Sequence, residues 1–229
     1  MTGTWAEFAA AFAVFMLAHR IPTMPGPRAR LAVTLGPRGF TIAYSALSTA
    51  LLIWLIAAAN TAPFIPLWDA APWQRWLANL AMPIAILLAA YAIAAPNPLS
   101  FGGRATAFDP AQPGIAGVAR HPLLWALALW STAHLIANGA LAHVILFGTF
   151  AVFSLAGMAM IDRRLQTRMG QGAWHDLARN TSTLPLAALI SRRWTPKSRP
   201  SAPRALAALA AYITLYLLHA PVIGVLPTP

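Results

Sequence analysis

Six apolar stretches, each closed by proline, glycine or charge, govern what this chain can fold into. They run from Trp5 to Ala18, Phe40 to Ala59, Trp73 to Ala95, Leu123 to Ala137, Leu141 to Ile161 and Ala205 to Val225. Hydrocarbon about 30 Å thick is crossed by roughly 17 to 25 apolar helical residues, and a helix satisfies its own backbone polar groups there. Pro22, Pro25 and Pro27 follow the first stretch, Pro63 and Pro66 the second, Pro96 and Pro98 the third. Gly139 separates the fourth from the fifth, which predicts a tight helical hairpin. The fold class is therefore all-α: one polytopic membrane bundle over residues 1–229, with about six transmembrane helices.

Charge supports this reading and orients it. Of 229 residues, 59% are apolar and 9% charged, too little charge for the surface of a soluble domain. The net charge is +11, and all the basic residues except Arg75 lie in three loops: Arg20 to Arg38, Arg104 to Arg120, and Arg163 to Arg204. With six spans these loops share one side, which the positive-inside rule makes cytoplasmic, with both termini outside. No basic-aromatic groove pattern occurs, so the charge belongs to a membrane surface and not to nucleic acid. Glu7 stands at the start of the first stretch and no Lys or Arg comes before Arg20, the reverse of a signal peptide's charge order. Ala173 to Ile190, with Trp174, His175 and Arg179, reads as a short helix or re-entrant piece at the interface. Pro96 to Gly117 reads as an ordered loop.

The chain has no cysteine, so disulfides, thiolate metal sites and cysteine nucleophiles are excluded. HExxH, P-loop, GxSxG and dinucleotide glycine patterns are absent as well. Six histidines remain, and ionisable groups within spans face the bundle interior or a functional cavity. His143 and His219 lie near span ends and His175 in the interfacial segment, where a polar side chain reaches water cheaply. His19 ends a stripe of Phe8, Phe12 and Phe15 along one helix face. His134 follows Trp130 and precedes Asn138 by one turn each, which makes a polar stripe on an apolar helix. His121 opens that helix in an Arg-His-Pro sequence, about 20 Å from His134 along the axis and on a largely opposite face. Two histidines on different helices suit haem b, an apolar macrocycle whose propionates seek arginine.

The segments LAHRIPTMPGPRARLAVTLGPRGFTIAYSALS, ARHPLLWALALWSTAHLIANG, DRRLQTRMG and NTSTLPLAAL, in that order, resemble the NnrU family from about His19 to Leu189. That family is associated with nitrite and nitric oxide reduction in denitrifying bacteria. It is also similar to zeta-carotene isomerase, a haem b enzyme that converts a central cis double bond of a carotenoid to trans. The resemblance implies a bacterial inner-membrane protein with haem b, membrane lipid around it and a lipophilic small molecule as a possible substrate class. The isomerase's iron ligands map to His19 and His134; the RHP histidine maps to His121, held in reserve as a ligand. Asp162, Arg163 and Arg164 map to the family's DRR sequence, with the arginines near propionates or organising the cytoplasmic face. Asn60 departs from the pattern, because the isomerase has a histidine near that place. A non-catalytic haem accessory or nitric oxide sensor for denitrification is the alternative. RHP before a late hairpin is also similar to isoprenylcysteine-type methyltransferases, whose acidic cofactor site has only Asp162 and Asp176 to match it here. Six straight rods would set His19 near the inner face and His134 near the outer, perpendicular depths about 20 Å apart, whereas ligands of one iron stand about 4 Å apart.

Overall fold

The computed structural model describes residues 3–228 and is all-helical, with two isolated bridges and no strand among the described residues. The helices are α1 (Trp5–Arg20), α2 (Pro25–Thr61), α3 (Pro72–Ala92), α4 (Ile115–Val118), α5 (Pro122–Ala137), α6 (Leu141–Met169), α7 (Gln171–Ala178), α8 (Ala187–Ile190) and α9 (Ala202–Ile223). Proline opens α2, α3, α5 and α9, where its missing N–H would have no helical partner anyway. Two compact units result: Met1–Asp69 with Gly139–Leu146, and Ala70–Asn138 with Phe147–Pro229.

Among the described residues four helices are long and apolar enough to cross a membrane, namely Arg38–Thr61, Pro72–Ala92, Leu141–Met169 and Ala202–Ile223. The expected count of six full spans is not confirmed. The first and fourth expected spans are helices of 16 residues each, about 24 Å at 1.5 Å per residue, shorter than the hydrocarbon. Arg20 and a 3₁₀ turn at Ile21–Thr23 end α1, and Asn138 leaves helical geometry after α5.

In the first unit the Thr4 hydroxyl caps α1 by accepting from the Glu7 N–H at 3.1 Å, and Phe8 and Phe15 are buried. Helix α1 packs on α2. The basic stretch expected to be a loop is instead helical from Pro25, and α2 breaks at Gly36, whose φ of +70° a side chain resists. The start of α6 returns to the segment after α2: Gly139 O accepts from Leu67 N at 2.7 Å, and Ile65 O from Leu141 N at 2.9 Å.

In the second unit α3 packs against α5 and α9. Arg204 at the start of α9 donates to the carbonyls of Ala90, Tyr91 and Ile93 at 2.7, 3.0 and 3.1 Å, satisfying the end of α3. At the opposite end Asn79 donates to Pro227 O at 2.6 Å, so α3 and α9 run antiparallel. The α5–α6 hairpin is present: the rings of Trp130 and Phe150 are 5.7 Å apart, and Gly157 faces Leu124. The expected ordered loop from Pro96 is held by Asn97 N to Arg104 O at 2.8 Å and ends in α4. The expected interfacial helix is two pieces, α7 and α8.

A Cβ on Gly139 would collide with the Trp68 carbonyl oxygen, whereas one on Gly148 meets nothing within 4 Å. Gly139→Ala is expected to destabilise the protein by about 3 kcal/mol, since backbone cannot yield as a side chain does. Gly148→Ala should leave thermal unfolding in detergent unchanged or slightly raised.

Candidate functional site

His134 lies in the last turn of α5, in the second unit. Its Nδ1–H donates to Trp130 O at 2.8 Å, and Asn138 donates to His134 O at 2.7 Å. The polar stripe read from the sequence is thus a chain of bonds along one helix. The imidazole stands 5.6 Å from the Trp130 ring and 5.2 Å from the Phe147 ring, and those two rings meet edge-to-face at 5.2 Å. With Nδ1 carrying the proton, the neutral ring has its lone pair on Nε2.

His19, in the last turn of α1 in the first unit, is arranged in the same manner. Its Nδ1–H donates to Phe15 O at 2.8 Å, and the ring stacks on Phe15 with centroids 4.0 Å apart. Tyr44 of α2 approaches edge-on at 5.7 Å. In both histidines, then, an aromatic residue four positions earlier supplies the carbonyl that fixes the tautomer and a ring that walls the imidazole.

The other histidines differ. His143 Nε2–H donates to Asn60 Oδ1 at 2.9 Å, so an imidazole from α6 stands beside the position that departs from the isomerase pattern. His219 donates forward to Val225 O at 2.7 Å, and His175 is exposed on α7. Among the described residues no group of three or more His, Asp or Glu is placed to hold a bare metal ion.

His121 belongs to a second site, a buried polar cluster in the second unit. Fully buried, it donates from Nε2 to Asp162 Oδ1 at 3.1 Å, while Nδ1 meets Ser100 Oγ at 3.1 Å. Arg120 pairs with Asp162 Oδ2 and reaches Thr181 Oγ1 at 2.8 Å and Thr183 Oγ1 at 3.3 Å, with its carbon Cζ 4.8 Å from the Trp174 ring centre. Asn97 donates to Arg120 O at 3.0 Å, and Trp125 to Thr183 O at 2.7 Å. Four separate stretches of chain thereby meet at one carboxylate. Arg163 and Arg164, next to it on α6, are exposed and stand apart from the cluster. Sequence reasoning missed Ser100, Asn97, Thr181 and Thr183; only the last two carried a local signal, the run of hydroxyls in NTSTLP.

The cluster is stable only as a whole. The side chains of Arg120 and Asp162 are 10% and 14% exposed, so removing either charge strands the other in a poorly solvated place. Asp162→Ala should cost about 3 to 5 kcal/mol in thermal or denaturant unfolding. Asp162→Asn, which keeps an acceptor for Arg120 or His121, should cost less.

No curated protein and no solved structure matches the chain. A family match does exist, and it runs through α9, beyond the Leu189 limit of the resemblance traced in the sequence. Residues 7–227 match the family described as NnrU protein, and the chain belongs to that family.

Proposed function

We propose that this NnrU-family membrane protein binds haem b, with His134 and His19 each taken, within its own unit, as an iron ligand. The observation that carries the reading is their shared preparation: each donates Nδ1–H to a carbonyl of its own helix at 2.8 Å, which makes Nε2 the unprotonated nitrogen, the form in which imidazole ligates a metal. The carbonyl bond also limits the imidazole's rotation. Haem asks for at most two protein nitrogens and apolar walls, so the lack of a three-residue metal cluster among the described residues does not bear on it. Phe15 and Tyr44 around His19, and Trp130 and Phe147 around His134, supply aromatic walls that exclude water. Arg163 and Arg164, exposed on α6, are the cations assigned to propionates. His121 is assigned to the ion-pair cluster, because both of its ring nitrogens already have partners.

When bound, the haem iron supplies a redox-active Lewis acid for an unsaturated lipophilic molecule. On this reading the chain acts as a cis-trans isomerase of a carotenoid-like polyene, set in the bacterial inner membrane with its basic loops cytoplasmic. Protein purified after expression with ample haem is expected to show a Soret band that shifts on reduction. His134→Ala and His19→Ala should each alter that spectrum, and His121→Ala should alter stability first. A spectrum without a Soret band sinks the reading. Conversion of a cis polyene under reducing conditions, lost in His134→Ala, tests the isomerase activity separately.

A further inference from the structure

The segment between α6 and α9 contains an apolar knuckle that neither the histidines nor the ion-pair cluster uses. Its inner side is anchored: Ala188 is fully buried, Trp194 is 5% exposed and occupies the space a Cβ on Gly117 would need, and Leu186 N donates to Val118 O at 2.7 Å. Its outer side is apolar and uncovered, with Leu184 66%, Leu186 49% and Ile190 78% exposed. Leu186 caps the single turn that ends at Ile190, and Ile190 N donates to Leu186 O at 2.9 Å, which holds the two exposed residues at either end of one short turn. Leu186 at φ +64° and Arg192 at φ +55° hold backbone conformations that side chains resist, and they bracket the knuckle. Packing therefore maintains these exposed side chains against a local cost.

Two features identify what covers them. Helix α6 ends at Met169 and α9 begins at Ala202, both are long enough to cross a membrane, and no spanning helix lies between them. The knuckle is thus tethered at both ends to one bilayer face. Around it stand exposed Arg179, Arg192, Arg193, Lys197 and Arg199, against the single acid Asp176 in the same connection. Arg193 is oriented by donating to Ser191 Oγ at 3.1 Å and to Arg179 O at 3.3 Å. Apolar tips ringed by cations suit an anionic lipid surface, and the same cations would repel a second copy of the patch.

We infer that residues 184–199 form an interfacial anchor selective for anionic phospholipid, with Leu184, Leu186 and Ile190 in the acyl boundary and Arg192, Arg193, Lys197 and Arg199 on the headgroups. The anchor selects lipid by charge and fixes its own depth by apolar contact. Each cation near such a surface contributes roughly a fivefold preference.

Because the chain has no cysteine, single labels report without background. Full-length Ile190→Cys and Ser198→Cys, each spin-labelled, would be placed in nanodiscs of phosphatidylcholine with or without phosphatidylglycerol. Oxygen should reach the label at 190 in preference to a water-soluble nickel chelate, and the order should reverse at 198. Replacing Arg192, Arg193, Lys197 and Arg199 together by glutamine should lower retention of phosphatidylglycerol over phosphatidylcholine at least about tenfold. Replacing the three arginines by lysine should preserve that retention, and this charge-keeping variant together with the unmutated lipid comparison covers the case of a glutamine variant that misfolds. Equal nickel access at 190 and 198, or unchanged lipid preference in the folded glutamine variant, overturns the proposal. So does a label at 190 shielded from both reagents in a cross-linkable dimer, which would make the occupant a second chain.

Discussion

The Arg120–Asp162 ion pair is the constraint on which the second unit depends. Desolvating two charges is costly, and their mutual attraction offsets that cost only when the remaining donors and acceptors are satisfied. Here Thr181 and Thr183 occupy the guanidinium, and His121 takes the second carboxylate oxygen. The pair therefore requires the loop from Asn97 to Ser100, the start of α5, the middle of α6 and the segment after α7 to arrive together. It also sets the register of the α5–α6 hairpin. With His121 opposite Asp162, Leu124 falls opposite Gly157, Trp130 opposite Phe150 and His134 opposite Phe147. The aromatic surroundings of His134 are thus determined from the far end of the hairpin.

Much of the fold was legible in the sequence because breakers are local. The spans expected at Phe40–Ala59, Trp73–Ala95 and Ala205–Val225 are the helices Arg38–Thr61, Pro72–Ala92 and Ala202–Ile223. Hydropathy says nothing of helix ends, so the count of six is not confirmed: four helices among the described residues are long enough to span, and α1 and α5 are apolar but stop after 16 residues. Helical residues from Pro25 to Leu35 were hidden by prolines that start a helix here and by Gly36, which breaks it. Both His19 and His134 could be singled out because an aromatic residue one turn earlier is a short-range signal. The polar cluster could not, since Arg120 and Thr181 are 61 positions apart and only the folded chain makes them neighbours.

Helix α9 is an integral part of the family's shared sequence and is bound by more than apolar contact. Only 6% of its spanning window is buried, so its affinity for α3 comes in good part from Arg204, which completes the carbonyl end of α3. One side chain thereby serves as the missing hydrogen-bond donor for another helix. That division of labour leaves the rest of α9 open to lipid.

The bond from each imidazole to the carbonyl four residues earlier has a mechanical side. Because His134 and His19 are hydrogen-bonded to their own helices, the direction of Nε2 is geared to the helix that carries each ring. A rotation of α5 about its axis turns the His134 lone pair through the same angle, and sliding α5 lengthwise carries it the same distance. Whatever approaches Nε2 meets a nitrogen whose aim is set by the helix as a whole, so events at that atom and motions of α5 report on each other directly.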